Sequence, residues 1–343
     1  MINKHPDIKD FLEKVKSRID PAIEELLKLN LNPDREEMIL HQVRVGGKRL
    51  RPALAVASCF LFGGDWSDDI IYPAAGLEIL HNYTLIVDDM IDRGHIRRGE
   101  PTTWKKYGYS LAHNAGMFYA ASLIQSLQKT SKMEEVSNCL AQTLKIVIEG
   151  EIKDILADAQ LKEDVDYLKK QKTKEITLQD YYQIISEKTA SLISASVRIG
   201  SIIASAPKDL EKEIAHYGFN TGMAFQISDD ILDIFGDENE FGKEIGKDLM
   251  EGKRSNIVLI LALSGMIEKD RDRCFCFLEK ENKSKEELEE IIARIKSTNA
   301  LSEAQAIGNN FIDKAKESLN NLPDNQWRTL LSELSAKIIM RNK

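Results

Sequence analysis

Residues 77–92 read LEILHNYTLIVDDMID, and residues 222–233 read GMAFQISDDILD. Each is an apolar run at helical spacing that closes on Asp-Asp-x-x-Asp. On a helix, positions i and i+4 share a face. Asp88 therefore projects with Asp92, and Asp229 with Asp233, while Asp89 and Asp230 lie about 100° further round. Leu85-Ile86-Val87 and Met223–Ile227 read as core-facing helix. Three like charges at the end of a buried helix are costly without counter-charge or metal. Carboxylates with water suit Mg²⁺, which normally recruits substrate phosphates to complete its octahedron. A solvated acidic helix end is the plainer reading of one such motif. Two of them, each after an apolar run, point instead to a diphosphate held through metal.

Outward from these motifs nearly every segment repeats apolar residues at i, i+3, i+4 and i+7, the helical pattern. The spacing predicts long helices near 51–62, 69–92, 109–128, 134–158, 178–205 and 208–235. Shorter ones are expected near 254–265, 268–281, 284–296, 301–320 and 325–340. An amphipathic stretch, Ile8–Leu29, is expected to break at Pro21. Pro33 opens a helix that runs to Val45, and Gly46-Gly47 ends it. Lys162–Lys174 reads as a solvated loop. No alternating β-branched run is flanked by hairpin turns. The class is all-α. With 8 prolines and 19 glycines among 343 residues, no linker divides the chain, and 1–343 is expected to be a single domain.

A net charge of −8 argues against nucleic acid as the main partner, yet local basic clusters can still bind an anionic substrate. Gly46-Gly47-Lys48-Arg49-Leu50-Arg51-Pro52 sets three cations beside flexible backbone. Arg97-Arg98-Gly99 follows the first acidic motif, and arginine forks match phosphate oxygens. Lys243, Lys247, Lys253 and Arg254 follow the second, and Lys188-Thr189 interrupts an otherwise apolar helix. Any one could be a surface charge; the order of acids then cations, twice over, is harder to explain so. The four cysteines have no metal-ligand company and read as reduced thiols. The N-terminal residues lack a signal-peptide core. The longest uncharged apolar stretch, Ser255–Ile267, is too short to cross a bilayer. A cytoplasmic protein without a transmembrane segment is expected.

The ordered set GGKRLRP (46–52), LHNYTLIVDDMID (80–92), RRGEPT (97–102), EKTASL (187–192), GMAFQISDDILDIFGD (222–237) and GKEIGKDLMEGK (242–253) resembles the trans-isoprenyl diphosphate synthases. This is the polyprenyl synthetase family, which includes farnesyl and geranylgeranyl diphosphate synthases. The resemblance implies an antiparallel helix bundle around a central cavity, usually a homodimer. It implies that both motifs, Asp88, Asp89, Asp92, Asp229, Asp230 and Asp233, hold Mg²⁺, three ions per site. An allylic diphosphate (dimethylallyl, geranyl or farnesyl) would meet Arg97, Lys188, Thr189, Gln226, Lys243 and Lys253. Isopentenyl diphosphate would meet Gly47, Lys48, Arg51, Arg98 and His81. His81 and Gln226 could otherwise be satisfied buried polar groups. Of these, Asp88, Asp92, Asp229, Lys188 and Arg97 carry the catalytic roles. The chemistry the resemblance implies is ionisation of the allylic C–O bond to release diphosphate, attack of the isopentenyl double bond on the cation, and loss of a proton to the released diphosphate.

In this family the product tail grows along the helix of the first motif, past positions five and four before its first aspartate. Here these are Tyr83 and Thr84, both expected on the cavity side, a pattern that resembles archaeal-type C20 synthases. Farnesyl or longer products are the alternatives. Two departures blur the subgroup: Val87 stands where many relatives have histidine, and Arg254-Ser255-Asn256-Ile257 replaces the commoner ending. A class I terpene cyclase would normally carry a different second motif, and a non-catalytic subunit tends to lose aspartates; all six are present.

Overall fold

The computed structural model describes residues 7–160, 163, 165–173, 175–236 and 245–339. Among them the chain forms α1 (Ile8–Lys28), α2 (Glu36–Arg44), α3 (Leu50–Leu61), α4 (Asp68–Ile91), α5 (Thr103–Tyr107), α6 (Tyr109–Leu127), α7 (Met133–Ala157), α8 (Asp166–Gln171) and α9 (Leu178–Ile185). There follow α10 (Ser191–Ile203), α11 (Lys208–Phe235), α12 (Lys247–Glu251), α13 (Ile257–Gly265), α14 (Glu268–Glu279), α15 (Lys285–Lys296), α16 (Ala300–Asn320) and α17 (Gln326–Ile339). The strand content of the described residues is one hairpin, β1 (Ile96–Arg97) against β2 (Glu100–Pro101). The all-α expectation holds, and α3, α4, α6, α7 and α11 begin and end within a residue of their predicted bounds.

Three local expectations are corrected. Helix α1 runs unbroken through Pro21. That proline is solvent-exposed, so the hydrogen bond it cannot donate is lost where water can serve the carbonyl. Residues 166–171 form α8 rather than loop. The predicted helix 178–205 is interrupted by a π turn, Ser186–Ala190, a form found mostly as single turns and often at functional sites.

The chain clusters into two compact units, each assembled from three stretches. The first comprises Met1–Gln142, Ile193–Ala215 and Ser318–Leu334. Its axis is α4, which packs on α1, α3 and α6. The buried stripe of α1, Phe11, Val15, Ile19, Ile23 and Leu26, has the spacing that makes one apolar face. A side chain at Gly76 would run into Ser126 of α6, so this glycine lets α4 and α6 approach closely. Helix α4 is also the one described helix long and apolar enough to cross a membrane by length and composition, but 61 % of its most apolar window is buried within the protein. Its apolarity serves a core.

The second unit comprises Thr143–Leu192, His216–Glu317 and Ser335–Lys343. Its core gathers Tyr181 and Ile185 of α9, Met223, Ile227 and Ile234 of α11, Leu249 of α12, Ile257, Val258 and Leu259 of α13, and Leu288, Ile291 and Ile295 of α15. Burying each such aliphatic chain stabilises by about 1.5–3 kcal/mol. All four cysteines are free thiols, three of them buried.

Candidate active site

In the first unit, α4 delivers Asp88 and Asp92 at its last turn, and Asp89 turns inward. Both Asp89 oxygens are engaged by Arg97, Nε to Oδ2 at 2.8 Å and Nη2 to Oδ1 at 2.8 Å. Burial opposes the Arg97 charge, but Asp89, then Asp88 and Asp92, outweigh it and raise the guanidinium pKa. Arg97 owes its position to the hairpin. Its two-residue turn has Arg98 at φ +53 and Gly99 at φ +82, the pair of positive angles of a type I′ turn. The base of the hairpin is pinned: Thr102 Oγ1 and Trp104 Nε1 each donate to Gly94 O at 2.7 Å. His41 Nε2 meets Pro101 O at 2.8 Å.

The Gly46-Gly47 loop stands on the other side of these arginines. Gly46 has φ +101, the conformation a helix-ending glycine adopts at least cost. A Cβ at Gly47 would lie 2.7 Å from Arg49 Nη1 and 3.2 Å from Arg98 Nη1, which accounts for a glycine here. His81, two turns before Asp88 on nearly the same face, has its pKa driven well below the ordinary imidazole range. Burial is the main cause, followed by the positive fields of Arg51, Arg98, Arg97 and Arg49. The predicted residues Gly47, Arg51, His81, Arg97 and Arg98 thus share one basic neighbourhood. Lys48 is exposed within the same loop.

Tyr83 and Thr84 do not share one side of α4. The helical repeat sets Thr84 about 40° from Asp88 and Tyr83 about 140° away. The Tyr83 ring lies against Gly116 of α6, and Thr84 Oγ1 donates to His81 O at 2.8 Å.

The second unit repeats the pattern. Asp229 and Asp233 occupy one face of α11, while Asp230 is 2 % exposed. Asp230 accepts from Gln226 Nε2 at 2.9 Å and from the Ile257 amide at 3.0 Å. Thr189 Oγ1 donates to Gln226 Oε1 at 2.9 Å, so Thr189, Gln226 and Asp230 form a chain. The Ile257 N–H in it comes from the unusual Arg254-Ser255-Asn256-Ile257 segment. Burial, then the like charge of Asp248, pushes the Asp230 pKa up to about 8, against the pull of Gln226. Asp233 is raised as well, by burial and then by Asp248 and Asp230. The Asp248 amide reaches Asp233 Oδ2 at 3.3 Å, and Asn256 Nδ2 reaches Asp248 Oδ2 at 3.3 Å.

Lys188 and Thr189 ride on the π turn, which is wedged between two glycines. A Cβ at Gly150 of α7 would fall 2.6 Å from the Lys188 amide nitrogen, and one at Gly222 of α11 would fall 2.5 Å from Ala190 Cα. Lys188 Nζ sits 2.6 Å from Glu151 and 2.7 Å from Asp154. Asp154 also accepts from Ser255 Oγ. Its pKa is lowered: burial works the other way, but Lys188 and then Lys253 prevail. Lys253 pairs with Glu251 at 3.2 Å. Lys243 lies outside the described residues.

Sequence reading missed four participants: Asp248, Asp154, Glu151 and the inward course of Arg49. Asp248 lies in the quoted GKEIGKDLMEGK, so its motif was visible although its role was not. Among the described residues no three His, Cys, Asp or Glu side chains converge into a ready-made metal cage. Mg²⁺ is bound by one or two carboxylates and fills its remaining positions with water and phosphate. The donors are all oxygen, and a cation would favour the charged forms of Asp230 and Asp233 that burial, and then the like charge of Asp248, disfavour.

Residues 33–295 match the polyprenyl synthetase family model. The chain is 33 % identical to a geranylgeranyl diphosphate synthase of Saccharolobus solfataricus, over 92 % of each chain. It is 32 % identical to heptaprenyl diphosphate synthase component 2 of Bacillus subtilis, over 91 % of this chain and 83 % of that one. Among solved structures it is similar to a decaprenyl diphosphate synthase from Rhodobacter capsulatus, with a TM-score of 0.86, 29 % identity and 98 % coverage of both chains. The fold is that of the isoprenoid synthases, and the chain is a prenyltransferase. The chain belongs to the polyprenyl synthetase family, and it is a trans-prenyl diphosphate synthase.

Proposed function

We propose that this enzyme condenses isopentenyl diphosphate with allylic diphosphates (dimethylallyl, geranyl or farnesyl) and releases geranylgeranyl diphosphate, C20, as its main product. The observation that carries this reading is the repeated division of labour in the two acidic motifs. In each, the middle aspartate is held by the protein, Asp89 by Arg97 and Asp230 by Gln226 and the Ile257 amide. The i, i+4 pairs Asp88/Asp92 and Asp229/Asp233 are the ligands for Mg²⁺. The similarity to an archaeal geranylgeranyl synthase supports the C20 length. The small Thr84 near the face of Asp88 favours a longer product as the second reading.

Mg²⁺, when bound with the allylic diphosphate, supplies Lewis-acid stabilisation of the departing diphosphate. Lys188, Thr189, Gln226 and Lys253 hold and neutralise the same leaving group, and Arg97 adds its charge beside Asp88 and Asp92. Lys48, Arg51 and Arg98 bind isopentenyl diphosphate in register with the allylic carbon. His81, kept neutral, offers an N–H to phosphate without adding to the local cationic repulsion. Apolar side chains of α4 exclude water from the allylic cation.

The reading extends to one catalytic domain over 1–343 in the cytoplasm, acting as a homodimer. Met117 and Ile124 of α6, seven residues apart on one face with Tyr109 beside them, are exposed apolar residues of the kind that a partner surface could cover. The test is to incubate the purified protein with Mg²⁺, isopentenyl diphosphate and C5, C10 or C15 primers, then size the products. A C20 product sustains the C20 length; C25 or longer supports the second reading, and C15 would make it a farnesyl synthase. No condensation with any primer would overturn the proposal in favour of a non-catalytic subunit, and a cyclic hydrocarbon from geranylgeranyl diphosphate alone in favour of a cyclase.

A further inference from the structure

Arg49 is the central cation of Gly46-Gly47-Lys48-Arg49-Leu50-Arg51, and by sequence it is as good a phosphate ligand as its neighbours. Its side chain goes the other way. It is 5 % exposed, and each arm of the guanidinium meets a different helix. Nε donates to Asp20 Oδ1 of α1 at 2.6 Å, Nη1 to Glu78 Oε1 of α4 at 3.2 Å, and Nη2 to Val43 O of α2 at 3.2 Å. Its backbone, at φ +51 in the left-handed region, is the residue before α3, and its carbonyl accepts from Ala53. Three helices therefore meet at one side chain, and the backbone of the same residue opens a fourth. Glu78 is itself held from the next turn, where Asn82 Nδ2 donates to Glu78 O at 2.8 Å.

A non-glycine residue in the left-handed region costs free energy and persists only where its surroundings over-determine it. Here the surroundings are two carboxylates and a carbonyl, a planar match that a lysine could not reproduce. The consequence falls on the neighbours. Lys48 and Arg51 leave the backbone on either side of Arg49, and Arg98 packs with Arg49 over Gly47. Several cations this close repel one another. Asp20 and Glu78 neutralise the one that points inward and fix the turn from which the others emerge.

We propose that Arg49 is a positioning residue for the Lys48, Arg51 and Arg98 diphosphate site, acting through Asp20 and Glu78 and not through contact with the anion. This rests on the function proposed above, and its test is separable from that function. The variants are Arg49→Lys and, should that protein fail to fold, Asp20→Ala at the partly exposed end of the network. The probe is inorganic pyrophosphate, titrated calorimetrically into metal-free protein with chelator present. Asp20→Ala removes a negative charge near the site, so an Arg49 that touched the anion would bind pyrophosphate more tightly in this variant. Positioning demands the opposite: the dissociation constant rises about tenfold, as for losing one charge-assisted hydrogen bond. In turnover, KM for isopentenyl diphosphate should rise while KM for the allylic primer stays near wild type. Tighter or unchanged pyrophosphate binding in a folded variant overturns the inference, as does a wild type that binds no pyrophosphate. A wild type that binds pyrophosphate but condenses nothing overturns the proposed function and leaves the calorimetric comparison to decide on Arg49.

Discussion

Replacing Gly150 by alanine sets a methyl carbon 2.6 Å from the Lys188 amide nitrogen, 2.8 Å from Glu187 Cβ and 3.0 Å from the Glu187 carbonyl carbon. Carbon contacts are comfortable at about 3.5–4.0 Å, so α7 and the π turn must part by about 1 Å. None of the three atoms is the far end of a flexible chain, so the backbone itself must move. Overpacking of this sort costs about 1–3 kcal/mol, a loss of several degrees in melting temperature for a chain of this size. The larger effect falls on chemistry. Lys188 and Thr189 ride on the displaced turn, and a misplacement of about 1 Å at a positioned group costs on the order of 100-fold in rate. Steady-state condensation of isopentenyl with farnesyl diphosphate, alongside thermal unfolding, measures both. If the loss runs through Lys188, adding Gly150→Ala to Lys188→Ala removes little further activity, because residues in one network do not add. A folded Gly150→Ala enzyme within about threefold of wild-type activity, well under the tenfold that 1.36 kcal/mol represents, would refute the wedge as a determinant of Lys188 position.

Three further outcomes are expected. On the proposed assignment Asp89→Asn loosens Arg97 and leaves Asp88 and Asp92 to the cation, so activity and Mg²⁺ affinity fall about 10–100-fold, as for outer contacts of a metal site. Asp88→Asn exceeds that loss, and equal losses would contradict the division of roles. Tyr83→Ala lengthens the product beyond C20 and Thr84→Phe shortens it; an unchanged chromatographic distribution in Tyr83→Ala removes Tyr83 from the control of chain length. Finally, the Asp230 pKa is raised from an ordinary 3.8 to about 8, so the folded protein holds a proton that the unfolded chain releases between those values. Metal-free protein should therefore lose stability as pH rises through that window, with Mg²⁺ restoring it. Melting temperatures in chelator that climb from about pH 6 to pH 8.5 would contradict this sign.

What the chain announces by itself is everything set by local repetition. Apolar spacing of 3.6 residues marks α3, α4, α6, α7 and α11 to within a residue, because an amphipathic stripe is a property of neighbours in sequence. The same repeat pairs Asp88 with Asp92 and Asp229 with Asp233, and sends Asp89 and Asp230 round the helix. It does not say what they will meet there. That Asp89 meets Arg97 depends on a turn with two positive φ angles. Asp230 meets Gln226 through the same i, i+4 repeat, but that it meets the Ile257 amide depends on how α11 and α13 pack. Asp248 and Asp154 join the second cluster from segments far along the chain, and Arg49 turns inward because Asp20 and Glu78 wait there. The π turn that carries Lys188 arises where Gly150 and Gly222 admit close packing. Pro21 belongs here too: a proline breaks an isolated helix by rule, yet α1 runs through exposed Pro21 and α4 through buried Pro73, because the packing of the helix around it outweighs one lost bond. Partners across long sequence separations are chosen by packing and desolvation, which no single stretch of residues contains.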